Sequence, residues 1–134
     1  MALLGGAEDV AFAQEVQRSS AIRWFDWTGR TTLREAIGIL SRAKVAIGPD
    51  SGLMHLSAAV GTPVVSLWGA TDPARTGPFG YEQLLVQGRA ACAPCYLRRC
   101  PIGRVCMRSI TSERVIDKVG DALSWKGGER DAPL

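Results

Sequence analysis

The feature that most constrains the fold is a pair of short, predominantly apolar runs at residues 45–47 and 64–68. The segment between them, residues 51–60, is apolar on nearly every face and is closed by Gly61 and Pro63, two residue types that end helices. Strands that carry apolar residues on both faces are typical of parallel sheets, because both faces of such a strand are covered. The pattern therefore predicts a parallel β–α–β unit.

Short apolar runs and helical periods also alternate along the rest of the chain. Strands are predicted at residues 2–4, 22–27 and 84–86, and helices from Glu8 and Asp9, from an N-cap at Thr31, and from Val115 to Leu123. This alternation favours an α/β fold with a doubly wound, Rossmann-like parallel sheet. The 134 residues suffice for one such domain, which we assign to residues 1–125, and residues 126–134 are predicted to be a flexible tail.

The turn after residues 45–47 carries the polar groups expected of a ligand site. Asp50, Ser51 and Gly52 open a helix, where free backbone N–H groups and the helix dipole favour an anion. Gly52 lets a ligand approach the backbone, and His55 could donate to a phosphate oxygen. Because open parallel sheets bind ligands at the carboxyl ends of their strands, we predict a site here, with Asp50 accepting hydrogen bonds from sugar hydroxyls. The alternative is structural, with Asp50 as a helix cap and His55 without a ligand.

Residues 89–108 form a loop rich in cysteine and arginine. The loop contains five arginines and no acidic residue, so it could meet phosphate-bearing partners or the anionic inner leaflet; the alternative is a solvated loop with its counter-ions. Tyr96 is its one aromatic residue, which disfavours nucleic acid as a partner. Its cysteines could bind zinc or an iron–sulfur cluster, form disulfides or remain free thiols. They are Cys92, Cys95, Cys100 and Cys106.

The longest apolar stretches of the chain are far shorter than a membrane span. The N-terminus has neither the basic region nor the long apolar region of a signal peptide. We therefore expect a cytoplasmic protein, and the arginines add peripheral association with the inner face of the cytoplasmic membrane as a further option.

Two motifs follow each other along the chain, DSGLMHLSAA at residues 50–59 and GATDP at residues 69–73. The first is similar to a D-[ST]-G-x-x-H-x-A-A motif and the second to a G-[PA]-T-[DS]-P turn, and in this order they resemble glycosyltransferase family 9, the heptosyltransferases. Residues 28–35 are similar to the usual lead-in of that family, and the resemblance covers roughly residues 2–125. Ser57 departs from the pattern, because the family more often has a small apolar residue there.

The resemblance implies an inverting enzyme of the two-domain GT-B type, of which this chain would be the C-terminal, nucleotide-sugar-binding half. In such an enzyme an acceptor hydroxyl attacks the anomeric carbon while the nucleoside diphosphate leaves, and no cofactor is required. The residues implied at the donor sugar and diphosphate are Asp50, Ser51, Gly52 and His55. Those implied at the nucleoside are Leu33 near the adenine and Glu8 or Asp9 near the ribose.

The function expected from the resemblance is transfer of heptose, or a related sugar, from ADP-heptose to the lipopolysaccharide core. The general base would lie in the N-terminal domain, so no catalytic residue is expected here and the chain alone should be inactive. The family's preceding strand and helix have no counterpart, so we expect a fragment, or self-association through the open strand edge. The alternatives are a non-enzymatic metal- or anion-binding module built on residues 89–108, and another GT-B enzyme such as a sugar-nucleotide epimerase.

Overall fold

The computed structural model describes residues 1–125, and the predicted tail at residues 126–134 lies outside them. The strands are β1 (Ala2–Leu3), β2 (Phe25–Asp26), β3 (Ala46–Pro49), β4 (Val64–Trp68) and β5 (Val86–Gln87). The helices are α1 (Val10–Ser19), α2 (Leu33–Leu40), α3 (Gly52–Ala59), α4 (Pro73–Thr76), α5 (Val105–Arg108) and α6 (Ser112–Leu123). Short 3₁₀ turns cover Ala7–Asp9 and Glu82–Leu84. No helix among these residues is long and apolar enough to cross a membrane.

The chain divides into two compact units, residues 1–39 and the residues from Leu40 onward. The first unit contains β1 and β2, which pair in parallel with Ala2 opposite Phe25. The second contains a three-stranded parallel sheet in the order β3–β4–β5. The predicted α/β class with parallel strands is confirmed, whereas a single domain over residues 1–125 stays a prediction.

The core of the second unit is built on the central strand β4. Val64, Val65 and Trp68 are completely buried, because β3 and β5 pair with the two edges of this strand and α3 and α6 contact it. Ser66 is also completely buried, and its Oγ accepts a hydrogen bond of 2.7 Å from the Trp68 indole N–H. The predominantly apolar run that predicted this strand therefore reflects burial on both faces.

The predicted and observed elements differ mainly at their ends. The strand expected at residues 22–27 is reduced to the two residues of β2, and residues 84–86 give a 3₁₀ turn followed by β5. In that turn Leu84 is 1% exposed, so it is apolar because it packs into the core and not because it lies in a strand. Apolar runs this short do not distinguish the two conformations.

Thr32, and not the predicted Thr31, caps helix α2. The Thr32 Oγ1 accepts from the Glu35 backbone N–H at 3.3 Å, and the Glu35 Oε2 accepts from the Thr32 backbone N–H at 2.8 Å. This reciprocal pair is a capping box, which requires Ser or Thr three residues before Glu or Gln. The Thr31 prediction was wrong because only Thr32 has the required spacing to Glu35.

The capping box predicts a specific acid sensitivity. The N–H and hydroxyl of Thr32 donate to the Glu35 carboxylate and hold its pKa below the ordinary 4.5. A carboxylate whose pKa is lowered by folding stabilises the protein above its unfolded pKa and loses this contribution as the pH falls through the folded value. We therefore expect Glu35→Gln to be slightly less stable than the parent chain at neutral pH, and this difference to vanish below pH 4.5. Urea unfolding from neutral pH down to about pH 3 measures it, and a pH-independent difference would contradict it.

Candidate functional site

The candidate site lies in the segments that follow β3 and β4 at the carboxyl edge of the second sheet. The parallel register pairs Pro49 at the end of β3 with Leu67 near the end of β4, so the two segments leave the sheet side by side. Asp50 follows β3 and Thr71 follows β4. The Thr71 Oγ1 donates a hydrogen bond of 2.8 Å to the Asp50 Oδ2, which fixes the carboxylate although the two residues are 21 positions apart.

His55 approaches the same carboxylate from the first turns of α3. Its Nε2 lies 3.8 Å from the Asp50 Oδ1, the oxygen that Thr71 does not bind. The His55 side chain is 46% exposed and that of Asp50 is 29% exposed, so both groups can be reached from solvent. The structure therefore brings together the two predicted residues Asp50 and His55, while their roles toward a ligand stay predictions.

The beginning of α3 offers free backbone donors beside these side chains. Ser51 is the N-cap residue, and its backbone oxygen accepts from the N–H groups of Met54 at 3.1 Å and His55 at 3.5 Å. The N–H groups of Gly52 and Leu53 have no acceptor within the described part of the chain. A Cβ added at Gly52 would meet no atom within 4 Å, so the surface beside these donors is open. Such a helix start is suited to an anion.

The structural alternative in which Asp50 caps α3 is wrong. Ser51 occupies the cap position with extended backbone angles, and the Asp50 carboxylate bonds to Thr71 on the neighbouring segment. Thr71 is the site residue that the sequence reasoning missed, although it belongs to the GATDP motif. Thr71 could have been predicted from the strand order. It follows β4, the strand that pairs with β3, and a polar residue there lies near Asp50.

Buried side chains of α3 itself hold its first turn in position. Met54 is 6% exposed, and its Sδ would lie 3.1 Å from a Cβ added at Gly48. Ser57, the departure from the family pattern, is completely buried, and its Oγ donates to the Leu53 carbonyl oxygen at 2.7 Å. Because its hydroxyl is satisfied inside the helix, serine is accommodated at this position without an unpaired polar group.

The residues predicted to contact the nucleoside belong to the first unit. Leu33 begins α2 and is 64% exposed. The Asp9 Oδ2 accepts from the Gly6 N–H at 3.0 Å and so closes its own 3₁₀ turn. Glu8 has no hydrogen-bond or ion-pair partner among residues 1–125. Of the two acids left open by the sequence, Glu8 is therefore the one whose carboxylate is available.

The four cysteines are free thiols that differ in their surroundings. Cys92 is exposed and Cys106 is buried, whereas Cys95 and Cys100 are intermediate. The Cys100 Sγ accepts from the Arg104 N–H at 3.2 Å, and the N–H groups of Arg104 and Ile102 lower the pKa of this thiol. Within residues 1–125 no three Cys, His, Asp or Glu side chains come together as metal ligands. The thiols as placed do not fit a zinc or iron–sulfur site, and metal binding stays a prediction.

A surface cleft of about 720 Å³ lies beside the end of β5 and does not include Asp50 or His55. It is lined in part by Arg89 and Arg114, and the Arg114 guanidinium donates to the Gln87 carbonyl oxygen at 2.9 Å. The Asp50 side of the sheet edge is the better candidate site, because the free donors, the fixed carboxylate and the imidazole converge there.

Comparison with known proteins shows what the chain is similar to. Residues 1–106 match the sequence profile of glycosyltransferase family 9 (heptosyltransferase). Lipooligosaccharide heptosyltransferase 2 of Haemophilus influenzae is 32% identical over 91 residues, which are 65% of this chain and 26% of that protein. Lipopolysaccharide heptosyltransferase 1 of Pseudomonas aeruginosa is 37% identical over 71 residues, which are 53% of this chain and 20% of that protein. The chain thus spans about a quarter or less of the length of these two relatives.

The fold is also found in a solved structure. The ADP-heptose lps heptosyltransferase II of E. coli superimposes with a TM-score of 0.70 at 24% sequence identity. The similarity covers 92% of this chain and 36% of the E. coli chain. At this identity the likeness concerns the fold alone.

Proposed function

This chain belongs to glycosyltransferase family 9, and we propose that it supplies the donor-binding half of an enzyme that transfers heptose from ADP-heptose to the lipopolysaccharide core. The observation that carries the proposal is the cluster at the sheet edge. There, the carboxylate of Asp50 is held by Thr71 and faces His55, next to the free N–H groups of Gly52 and Leu53. A sugar diphosphate needs these groups, since its hydroxyls require an acceptor and its phosphates require donors.

The arrangement suits an inverting displacement. The acceptor oxygen forms a bond to the anomeric carbon as the bond from that carbon to the diphosphate oxygen breaks, and negative charge accumulates on the leaving ADP. Donors placed at the diphosphate stabilise this charge in the transition state. We assign that role to the N–H groups of Gly52 and Leu53 and to His55, and sugar positioning to Asp50. The acceptor hydroxyl proton passes to a general base outside this chain.

The proposal assigns the nucleoside to Leu33 and Glu8. The exposed Leu33 side chain offers an apolar surface to the adenine. We assign the ribose to Glu8, because the Asp9 carboxylate is engaged by Gly6. The same proposal places the enzyme on the cytoplasmic side of the membrane, where nucleotide sugars are available, and places the lipopolysaccharide acceptor on another part of the protein.

Calorimetric titration of the chain with ADP and ADP-heptose, with UDP-N-acetylglucosamine as the control, tests this proposal. We expect saturable binding that prefers the two ADP ligands and is lost in His55→Ala. If ADP ligands bind equally well to His55→Ala, the donor does not contact this cluster. Equal binding of the uridine ligand would contradict the assignment of the nucleoside.

Gly52→Ala should lower the affinity for ADP-heptose without lowering the free energy of unfolding. The added Cβ meets no protein atom within 4 Å, so we expect no loss in the free energy of unfolding. It would, however, project beside the free N–H groups of α3, and we expect the affinity for ADP-heptose to fall about 10-fold. Gly120→Ala is the matched control, because its Cβ also meets nothing within 4 Å and it lies in α6. Equal affinity in Gly52→Ala and the parent chain would contradict a diphosphate at this backbone.

A further inference from the structure

We infer that residues 96–108, called here the arginine segment, are a docking surface for an anionic lipid bilayer. The segment is the second part of the Cys/Arg-rich loop and includes α5. The inference concerns where the protein is held, and it is independent of which sugar, if any, the Asp50 site binds.

Among residues 1–125, the cationic groups of the segment have no acidic partner. Its four arginines, Arg98, Arg99, Arg104 and Arg108, are all exposed. No Asp or Glu occurs in the sequence from residue 83 to residue 112, and no described carboxylate forms an ion pair with any of the four. A surface of uncompensated guanidinium groups is electrostatically complementary to anionic headgroups.

Apolar side chains are interleaved with these arginines. Tyr96 is 48% exposed, Leu97 54%, Ile102 57% and Val105 48%. One exposed apolar residue is ordinary, but four within ten positions, alternating with cations, is the composition of segments that lie in the interface of a bilayer. In that position the guanidinium groups reach the phosphates, while the apolar side chains enter the boundary with the acyl chains. A nucleic acid would satisfy the cations but would leave most of these apolar groups in water.

The start of the segment is fixed to the rest of the second unit. The backbone N–H groups of Cys95 and Tyr96 both donate to the Ala70 carbonyl oxygen, at 2.9 and 2.8 Å. The Arg75 guanidinium lies 5.9 Å from the centre of the Tyr96 ring. Because Ala70 precedes Thr71, a bilayer that holds the arginine segment would also hold the loop that positions Asp50.

Co-sedimentation with large vesicles tests the inference. We expect the chain to bind vesicles that contain phosphatidylglycerol about 100- to 1,000-fold more tightly than vesicles of phosphatidylcholine alone, and this preference to weaken with added salt. Replacing all four arginines of the segment by Gln should abolish the preference. The matched control removes the same charge from exposed arginines elsewhere: Arg18→Gln, Arg23→Gln, Arg34→Gln and Arg42→Gln. It should retain most of the binding.

A second variant separates the bilayer from other polyanions. Leu97→Ser with Ile102→Ser should weaken vesicle binding about 10-fold or more but leave binding to an RNA duplex unchanged. Equal losses in the two arginine variants, equal binding to neutral vesicles, or RNA binding as tight as vesicle binding would each overturn the inference. Circular dichroism melting confirms that the variants are folded. Titration with ADP-heptose tests the donor site separately, because the substitutions in the arginine segment replace none of the residues assigned to the donor.

Discussion

Asp50→Asn is expected to lower the affinity for ADP-heptose about 100-fold. The change keeps the shape of the side chain and an oxygen for the Thr71 hydroxyl, but it removes the charge that accepts hydrogen bonds from the sugar. Hydrogen bonds to a charged group contribute about 1.5–3 kcal/mol each, so the loss of one accounts for a decrease of this size. Calorimetric titration of the two proteins measures it.

Asp72→Asn is the matched control for this result. Asp72 lies on the neighbouring segment after β4, and its carboxylate accepts from the Ala74 N–H at 3.0 Å as the N-cap of α4. Asparagine caps helices about as well as aspartate, so the control removes one negative charge nearby without a loss of stability. If both variants lose affinity equally, the effect is one of net charge. If neither variant loses affinity, the donor binds elsewhere.

Gly88→Ala is expected to destabilise the second unit by about 3 kcal/mol. A Cβ at Gly88 would overlap the carbonyl oxygen of Cys106, and it would lie 3.2 Å from the Ser109 Oγ. A backbone oxygen cannot rotate away as a side chain can. The displacement would also disturb the hydrogen bonds from Gly88 N–H to Trp68 O and from Arg89 N–H to Ser109 Oγ, at 2.8 and 2.7 Å.

Urea unfolding of Gly88→Ala beside Gly120→Ala checks this expectation. Both variants add one methyl group, but the Gly120 position is open and lies within α6, where alanine should raise the free energy of unfolding by about 0.5–1 kcal/mol. Opposite signs for the two changes are the expected pattern. Equal unfolding midpoints for Gly88→Ala and the parent chain would mean that α5 does not pack against the end of β5.

The sequence predicted those parts of the fold in which a residue pattern is compatible with only one local structure. The bounds of β4 were predicted without error, because a strand buried on both faces carries apolar residues on both faces. Polar residues at a helix start were ambiguous, since Asp50 and Ser51 are equally good caps and the backbone angles of Ser51 decide between them. The hydrogen bond from Thr71 to Asp50 depends on the register between β3 and β4, and this register cannot be predicted from the local sequence.

The state of the four cysteines also could not be predicted from local sequence. Their spacing is compatible with a metal, with disulfides or with free thiols, because spacing along the chain does not determine which sulfur atoms converge. In the structure Cys106 packs at the ends of β4 and β5, where its Sγ is 3.0 Å from a Cβ added at Gly69, while Cys92 is exposed. The difference between these two thiols arises from tertiary packing.

The backbone N–H groups of Cys95 and Tyr96, which share the Ala70 carbonyl oxygen, join the donor-site loop to the start of the arginine segment. Their hydrogen exchange can therefore be used to follow how this junction opens. Each of these protons exchanges with deuterium only when its bond to Ala70 opens, so the exchange rates of Cys95 and Tyr96 report how often the two segments separate. A nucleotide sugar that orders the loop from Ala70 to Thr71, or a bilayer that orders the segment after Tyr96, would slow the same two protons. If the nucleotide sugar and the bilayer each raise the affinity for the other, exchange with both present should be slower than the two separate effects predict. This additional slowing gives the free energy by which the two binding events are coupled.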